Sequence, residues 1–288
     1  MKRNAIIMAA GTSSRFVPLS TERPKGLIEV KGDILIERQI KQLQEAGITD
    51  ITIVVGYKAE MFAYLHDKFG VSIVLNEDYA CFNNTSSIIR VVEKLDNTFV
   101  CSSDNYFPEN VFRGNSLNSY YSALYAEGET GEYCLTTDGD DMITEVTVGG
   151  HDSWYMVGHV YFNHDFSEAF RKVMIEEYKS DKTKQGYWED VYIRYINKLP
   201  KLKINRYQEG SIQEFDSLDE LREFDHSYQN DTRSTIVKEI SQILDVKEGI
   251  IHAFKNVKHQ GDYLLFSFKV DDTEYMYDGF KNNPIERI

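Results

Sequence analysis

The chain has 288 residues, 42% of them hydrophobic, and a formal net charge of −14 at pH 7, which suits one large domain or one domain with a small appendage. That acidity argues against a nucleic-acid or anionic-membrane partner, because both need a basic face. Cys81, Cys101 and Cys134 are odd in number and form no C-x-x-C pair, which speaks against a disulfide framework or a zinc site, and no apolar stretch approaches the ~20 residues of a membrane span, so a cytoplasmic protein is expected.

In Ile6-Ile7-Met8 the sequence shows a short buried strand that runs into the small-residue turn Ala9-Ala10-Gly11-Thr12-Ser13-Ser14. Backbone N–H groups from Ala10 to Ser14 can then face a bound anion with no side chain in the way. Arg15, and Lys25 after Pro24, supply the cationic groups that an oxygen-rich triphosphate needs. The turn lacks the Gly-Lys-Ser/Thr ending of a P-loop and the G-x-G-x-x-G of a dinucleotide fold. Taken alone, it also fits a plain strand-to-helix connection.

Residues 34–43 place Ile36, Ile40 and Leu43 on one helical face, with Gly47 as the stop signal. Residues 51–57 read as a second buried strand, 59–69 as a helix and 71–75 as a third strand. This alternation predicts a parallel sheet covered on both faces, with ligands beyond the carboxyl ends of the strands, where the Gly11 turn lies. A polar and aromatic stretch, 76–84, precedes a helix opening at Ser86. Asn83 or Thr85 suits the cap of that helix, and the carboxamides of Asn83 and Asn84 also suit the edge of a base. Residues 98–103 form a fourth strand that ends at Asp104-Asn105. That pair is either a simple turn or a carboxylate beyond a buried strand, where phosphate chemistry holds Mg²⁺.

Residues 132–137 and 143–148 read as strands around the acidic turn 138–141, residues 155–162 as a further strand and 166–178 as a helix. In Gly186-Tyr187-Trp188-Glu189-Asp190 two aromatic rings precede two carboxylates. That composition fits a quaternary ammonium, held by aromatic faces and nearby negative charge, and it fits a helix start with acids at its N-terminus. Glu214 and Asp216 share one face if 212–216 is a strand end, while Asp216 also suits the cap of a helix beginning at Leu218. Helical periodicity over 232–244 and strand-like alternation over 263–276 make residues 229–288 a small α+β element.

The run Met8-Ala9-Ala10-Gly11-x-x-x-Arg15, followed by Pro24-Lys25-x-Leu27, resembles the signature of the nucleotidyltransferases that make activated sugars and alcohols. Bacterial choline-phosphate cytidylyltransferases have stretches similar to Asn76-x-x-Tyr79-x-x-x-Asn83-Asn84-x-x-Ser87, to Asp104-Asn105-Tyr106 and to Glu214-x-Asp216-Ser217. They also have Tyr-Trp-Asp at 187–189, where this chain has Glu189, and an aromatic residue matching Tyr133. The resemblance spans residues 4–226. It implies an α/β, Rossmann-like nucleotidyltransferase fold over residues 1–227, a mixed and mostly parallel sheet with helices on both faces, and residues 228–288 as a C-terminal α+β extension.

The resemblance further implies Mg²⁺-dependent transfer from CTP to phosphocholine, giving CDP-choline and pyrophosphate. Lys25 and Arg15 would be catalytic, at the phosphates. Ala9, Ala10, Gly11, Thr12, Ser13, Ser14, Tyr79, Asn83, Asn84 and Ser87 would bind the nucleotide. Tyr133, Tyr187, Trp188, Glu189 and Asp190 would bind the acceptor, and Asp104 with Glu214, or with Asp216, would hold the metal. Glu for Asp at 189 moves the charge a methylene farther, so phosphoethanolamine and 2-aminoethylphosphonate stand as alternative acceptors. An inactive nucleotide sensor is the reading from a different class, and a second copy of the chain is a candidate partner. The tail is faintly similar to the start of a choline-kinase small lobe but has no room for a kinase catalytic loop, so no kinase activity is expected.

Overall fold

The computed structural model describes residues 2–114, 117–260 and 263–288. The chain forms two compact units, one of Met1–Gly11 with Ile36–Glu214 and one of Thr12–Leu35 with Phe215–Ile288.

In the first unit the apolar runs become strands β1 (Asn4–Ala9), β2 (Asp50–Val55), β3 (Ser72–Leu75) and β4 (Thr98–Ser102). Helix α1 (Leu35–Glu45) lies between β1 and β2 in sequence and α2 (Tyr64–Phe69) between β2 and β3, while α3 (Thr85–Arg90) precedes β4. β1 pairs in parallel with both β2 and β4, and β2 with β3. Such a strand is covered on both sides, which is why Ile6, Ile7, Ile53 and Val54 are all buried instead of alternating. The short β5 (Asn105–Tyr106) follows Asp104.

Beyond this parallel core the sheet becomes mixed. β6 (Tyr120–Thr137) and β7 (Ile143–Phe162) make a long antiparallel ribbon, and β7 also pairs antiparallel with β4. β8 (Lys203–Arg206) then adds in parallel to β6, giving the order β8-β6-β7-β4-β1-β2-β3. Helices α4 (His164–Glu177) and α5 (Trp188–Tyr195) contribute Phe166, Phe170, Trp188 and Tyr192 to the main core beside Phe162 and Val160. The sheet is thus mixed and mostly parallel, as expected. The predicted strands 143–148 and 155–162 are instead parts of one strand, and 132–137 is the end of a longer one. Repeated register shifts in the ribbon break the hydrophobic alternation that would have revealed its length. The predicted helix 59–69 is a 3₁₀ turn, Ala59–Phe62, followed by α2.

The last strand of the first unit, β9 (Gln213–Glu214), pairs antiparallel with β5, with Glu214 opposite Asn105. In the second unit, helices α6 (Leu218–Phe224) and α7 (Thr235–Leu244) precede an antiparallel meander of β10 (Ile251–Gln260), β11 (Tyr263–Val270), β12 (Thr273–Asp278) and β13 (Ile285–Arg287). Phe254, Phe266, Phe268 and Tyr277 are buried in it, with the Phe266 and Tyr277 rings stacked at 4.9 Å. The single strand expected over 263–276 is two strands, folded back at Asp271-Asp272, where Asp271 takes a left-handed φ of 49°.

Gly56, just past β2, has its place set by close approach. A Cβ there would lie 2.7 Å from the Tyr79 side chain and 2.9 Å from the Ala10 carbonyl oxygen. Gly56→Ala should therefore destabilise the protein by about 1–3 kcal/mol, the usual cost of overpacking, read as a lower urea midpoint. An unchanged midpoint would mean that this contact is easily relieved.

Candidate active site

The strand ends of the first unit carry most of the residues singled out in the sequence. Tyr57 N donates to the Ala10 carbonyl at 3.1 Å, which ties the start of the glycine turn to the end of β2. Asn76 N donates to Val55 O at 2.7 Å, and its side-chain amide donates to Ser86 Oγ and Ser87 Oγ at 2.8 and 3.0 Å. Asn76 and Ser87 thereby bracket the start of α3 from inside. Tyr79 lies against Gly56, with its ring 6.4 Å from that of Tyr57. The Asn83 side chain accepts from Asn84 N at 2.7 Å. Neither Asn83 nor Thr85 caps α3 through its side chain; Thr85 is the first helical residue, and its hydroxyl donates to Thr183 O at 2.9 Å.

Asn84 links two helix starts. Its Oδ1 accepts from Trp188 N at 2.7 Å and its Nδ2 donates to Glu189 Oε2 at 3.2 Å. Glu189 also accepts from the Tyr121 hydroxyl at 3.3 Å, a contact that the sequence reading missed because it began this strand at 132. Among the described residues, no Lys, Arg or His forms an ion pair with Glu189. Burial, with Asp190 adding like charge, pushes its carboxyl up from the ordinary 4.5 to about 7, against the lowering effect of the Asn84 and Tyr121 hydrogen bonds.

Around this carboxylate the aromatic residues divide. Trp188 is only 3% exposed, stacks on Tyr121 at 5.9 Å and meets Phe162 and Phe170 edge-on, so its ring belongs to the core. Tyr187 is exposed. The Tyr133 hydroxyl donates to Asp190 Oδ1 at 3.1 Å, while Asp190 Oδ2 accepts from Tyr187 N at 2.8 Å and closes the first turn of α5.

Asp104 sits between β4 and β5. Gln39 of α1 donates to the carbonyls of Ser102 and Asn105 at 2.9 Å each, Gln42 donates to Phe107 O at 2.9 Å and Arg38 Nε does the same at 2.9 Å. One helix face thus fixes the backbone on both sides of Asp104. Buried polar residues at 39 and 42 of an otherwise apolar face were the signal for this clamp. Asn105 Nδ2 donates to Glu214 Oε2 at 3.4 Å, and the Asn105 Oδ1 is buried without a hydrogen-bond partner among the described residues. Also among the described residues, no three His, Cys, Asp or Glu side chains form a ready-made cation cage. Two carboxylates, such as those of Asp104 and Glu214, are the kind of donor set that Mg²⁺ characteristically takes, completing its shell with phosphates and water.

In the second unit, Ser13 takes a left-handed φ of 48° and its carbonyl accepts from Phe16 N at 2.9 Å. Lys25 opens the turn Lys25–Leu27 and is only 5% exposed. Its Nζ lies 3.5 Å from Asp216 Oδ1, and Arg15 Nη1 lies 3.0 Å from Asp216 Oδ2. Asp216 does not cap α6: Ser217 is the cap, its Oγ accepting from Glu220 N at 3.2 Å, and Glu220 Oε2 accepts from Asp216 N at 2.8 Å.

A parallel sheet with a small-residue turn at its carboxyl edge, and a buried lysine on the segment that follows, describes an α/β nucleotidyltransferase. Residues 5–136 match the family model of the MobA-like NTP transferase domain. The 2-aminoethylphosphonate cytidylyltransferase of Lancefieldella rimae is 37% identical over 79% of this chain and 94% of its own length. The choline-phosphate cytidylyltransferase of Streptococcus pneumoniae is 34% identical over 79% of this chain and 99% of its own. A solved structure of the CTP:phosphocholine cytidylyltransferase from Streptococcus pneumoniae superposes with a TM-score of 0.76 at 33% identity, covering 79% of this chain and 99% of that one. The chain belongs to the nucleotidyltransferase family that contains these bacterial enzymes.

The raised carboxyl of Glu189 has a consequence for stability. Its contribution is fully present below pH 4.5 and is lost as pH rises through about 7. Across that window wild type should lose stability relative to Glu189→Gln, measured as parallel melting curves; two curves of the same pH slope would show that the carboxyl is not desolvated.

Proposed function

We propose that this protein transfers a cytidylyl group from CTP to phosphocholine, releasing pyrophosphate, with Mg²⁺ as cofactor, in the cytoplasm. The single observation that carries the acceptor reading is Glu189, a desolvated carboxylate beside Tyr121 and Tyr133 that a cationic nitrogen would complement. The printed activities of the relatives support the cytidylyl donor. Residues 1–227 are the transferase part on this reading, and 228–288 are an α+β extension.

In the reaction, an oxygen of the acceptor phosphate attacks the α-phosphorus of CTP. The new P–O bond forms as the bond to the bridging oxygen breaks, and pyrophosphate leaves with that electron pair. No covalent enzyme intermediate is needed, so catalysis consists of positioning and charge neutralisation. Lys25 neutralises the α-phosphate and the acceptor phosphate. Arg15 and the amides of residues 10–14 hold the β and γ oxygens, and Asp216 is the resting counter-ion that they exchange for phosphate. Asp104 and Glu214 would hold Mg²⁺, which would supply shielding of the triphosphate charge.

A second reading, 2-aminoethylphosphonate as acceptor, is favoured by the burial of Trp188 in the core. A primary ammonium needs acceptors more than aromatic faces, and Glu189, Asp190 and the tyrosine hydroxyls provide them.

Pyrophosphate release over four nucleoside triphosphates and the acceptors phosphocholine, phosphoethanolamine, 2-aminoethylphosphonate and glucose-1-phosphate tests the reading; it should be confined to CTP with phosphocholine. Release with the phosphonate instead would make the second reading correct, and no release would favour a nucleotide sensor. Lys25→Ala should lower kcat by roughly 10²–10³-fold. A Cβ at Gly11 would meet no protein atom within 4 Å, so Gly11→Ala should raise the KM for CTP while leaving the melting temperature unchanged. Unchanged KM would remove Gly11 from the phosphate site.

A further inference from the structure

We propose that residues 225–235 are a brace that positions Lys25, so that nucleotide binding and the folding of α7 are thermodynamically coupled. The inference rests on the reading that Lys25 and Arg15 meet the triphosphate, and it goes beyond that reading by giving the C-terminal extension a part in the reaction.

The brace grips the Lys25 segment on both sides. Three residues before Lys25, Glu22 Oε1 accepts from Thr235 N at 2.7 Å and also from the Thr235 hydroxyl. A carboxylate there meets the N-terminus of α7, where free N–H groups and the helix dipole favour negative charge. Ser234 Oγ caps the same turn by accepting from Val237 N at 3.1 Å. Four residues after Lys25, the Glu29 carbonyl accepts from the Tyr228 hydroxyl at 2.6 Å, and Glu29 Oε1 pairs with Arg233 Nη1 at 3.3 Å. Two residues further on, Lys31 N donates to Asp225 Oδ2 at 2.6 Å, with the Lys31 ammonium 4.4 Å from the centre of the Phe224 ring.

The tail side of these contacts is itself anchored. Tyr228, Thr232 and Ser234 are buried. Arg222 is buried as well and donates to Ile251 O at 2.6 Å and Glu248 O at 2.8 Å, joining α6 to the start of the meander. Arg233 holds a left-handed φ of 58°, a backbone state that a non-glycine residue adopts at a cost. It keeps its guanidinium 4.4 Å from the centre of the Tyr228 ring while reaching Glu29. Glu22, Tyr228, Glu29 and Arg233 therefore act as positioning residues. They hold the two ends of the segment 22–29 from which Lys25 projects, and they touch neither substrate.

Coupling of this kind is reciprocal. If the brace pre-orders the segment for phosphate, CTP must in turn stabilise the brace. The test uses the full-length protein. CTP with Mg²⁺ should slow backbone hydrogen exchange in residues 235–244, whereas phosphocholine alone should not. Arg233→Ala, and the double variant Glu22→Gln with Arg233→Ala, should raise the dissociation constant for CTP by at least about five-fold, the lower end of ordinary coupling. The KM for the acceptor should stay unchanged, and Arg233→Lys should restore part of the affinity. If wild type binds CTP while α7 exchange is unaffected, or while the variants bind CTP as well as wild type, the brace is wrong. If wild type does not bind CTP at all, the triphosphate reading fails, and the coupling with it.

Discussion

Lys25 places an ammonium group in a position that is 5% exposed, and keeping a charge there costs several kcal/mol unless anions surround it. Asp216, shared with Arg15, is one such anion. The two halves of this arrangement are unequal. Arg15 is largely exposed, so its pair with Asp216 contributes at most about 1 kcal/mol, whereas the buried Lys25 depends on its counter-charge. The backbone of Asp216 is held at the start of α6, where its N–H donates to Glu220 beside the Ser217 cap. A helix start in one part of the sequence thus carries the counter-charge of a lysine almost two hundred residues earlier.

In the first unit the same problem is solved with neutral groups. The carbonyls around Asp104 are held by carboxamides from Gln39 and Gln42, and the start of α3 is held by Asn76 through two serine hydroxyls. The amide donors of these buried residues all have partners, the condition under which burial of a polar group is tolerated, while the Gln39 and Gln42 Oε1 atoms are buried without one among the described residues. These residues stiffen the backbone that presents Asp104 and the Asn83 stretch without adding charge there. Glu189 is the exception, because its partners are an amide and a phenol, neither of which offsets the desolvation of a carboxylate. A ligand cation would offset it, and binding such a cation would pull the carboxyl back toward its ionised form.

What was legible in the sequence follows from how local each signal is. The βα alternation, the strand into Gly11 and the Pro24-Lys25 pair are written in short windows, and the parallel core formed as they imply. The β6–β7 ribbon was seen in fragments because its bulges shift the side-chain phase. Asn84 and Trp188 have the chemistry of ligand-binding residues, yet the carboxamide bridges two helix starts and the indole is packed between Tyr121, Phe162 and Phe170. Composition cannot tell a polar or aromatic group aimed at a ligand from one aimed at a neighbouring helix, because both satisfy the same valences. Tyr121 and the Gln39–Gln42 clamp were missed for the related reason that their partners lie far away in sequence.

The comparisons bear unevenly on the two units. The relatives are covered over 94% and 99% of their length while matching 79% of this chain, so about a fifth of this protein has no counterpart in them. Residues 12–35, which contain Arg15 and Lys25, pack in one unit with residues 215–288. The neighbourhood of these cations therefore includes C-terminal elements, such as α7 against Glu22. Knowledge of the relatives thus transfers most directly to groups such as Asp104, whose supports lie within residues 36–214. It transfers least directly to how firmly Lys25 is held, because the segment around it also contacts Tyr228 and the start of α7.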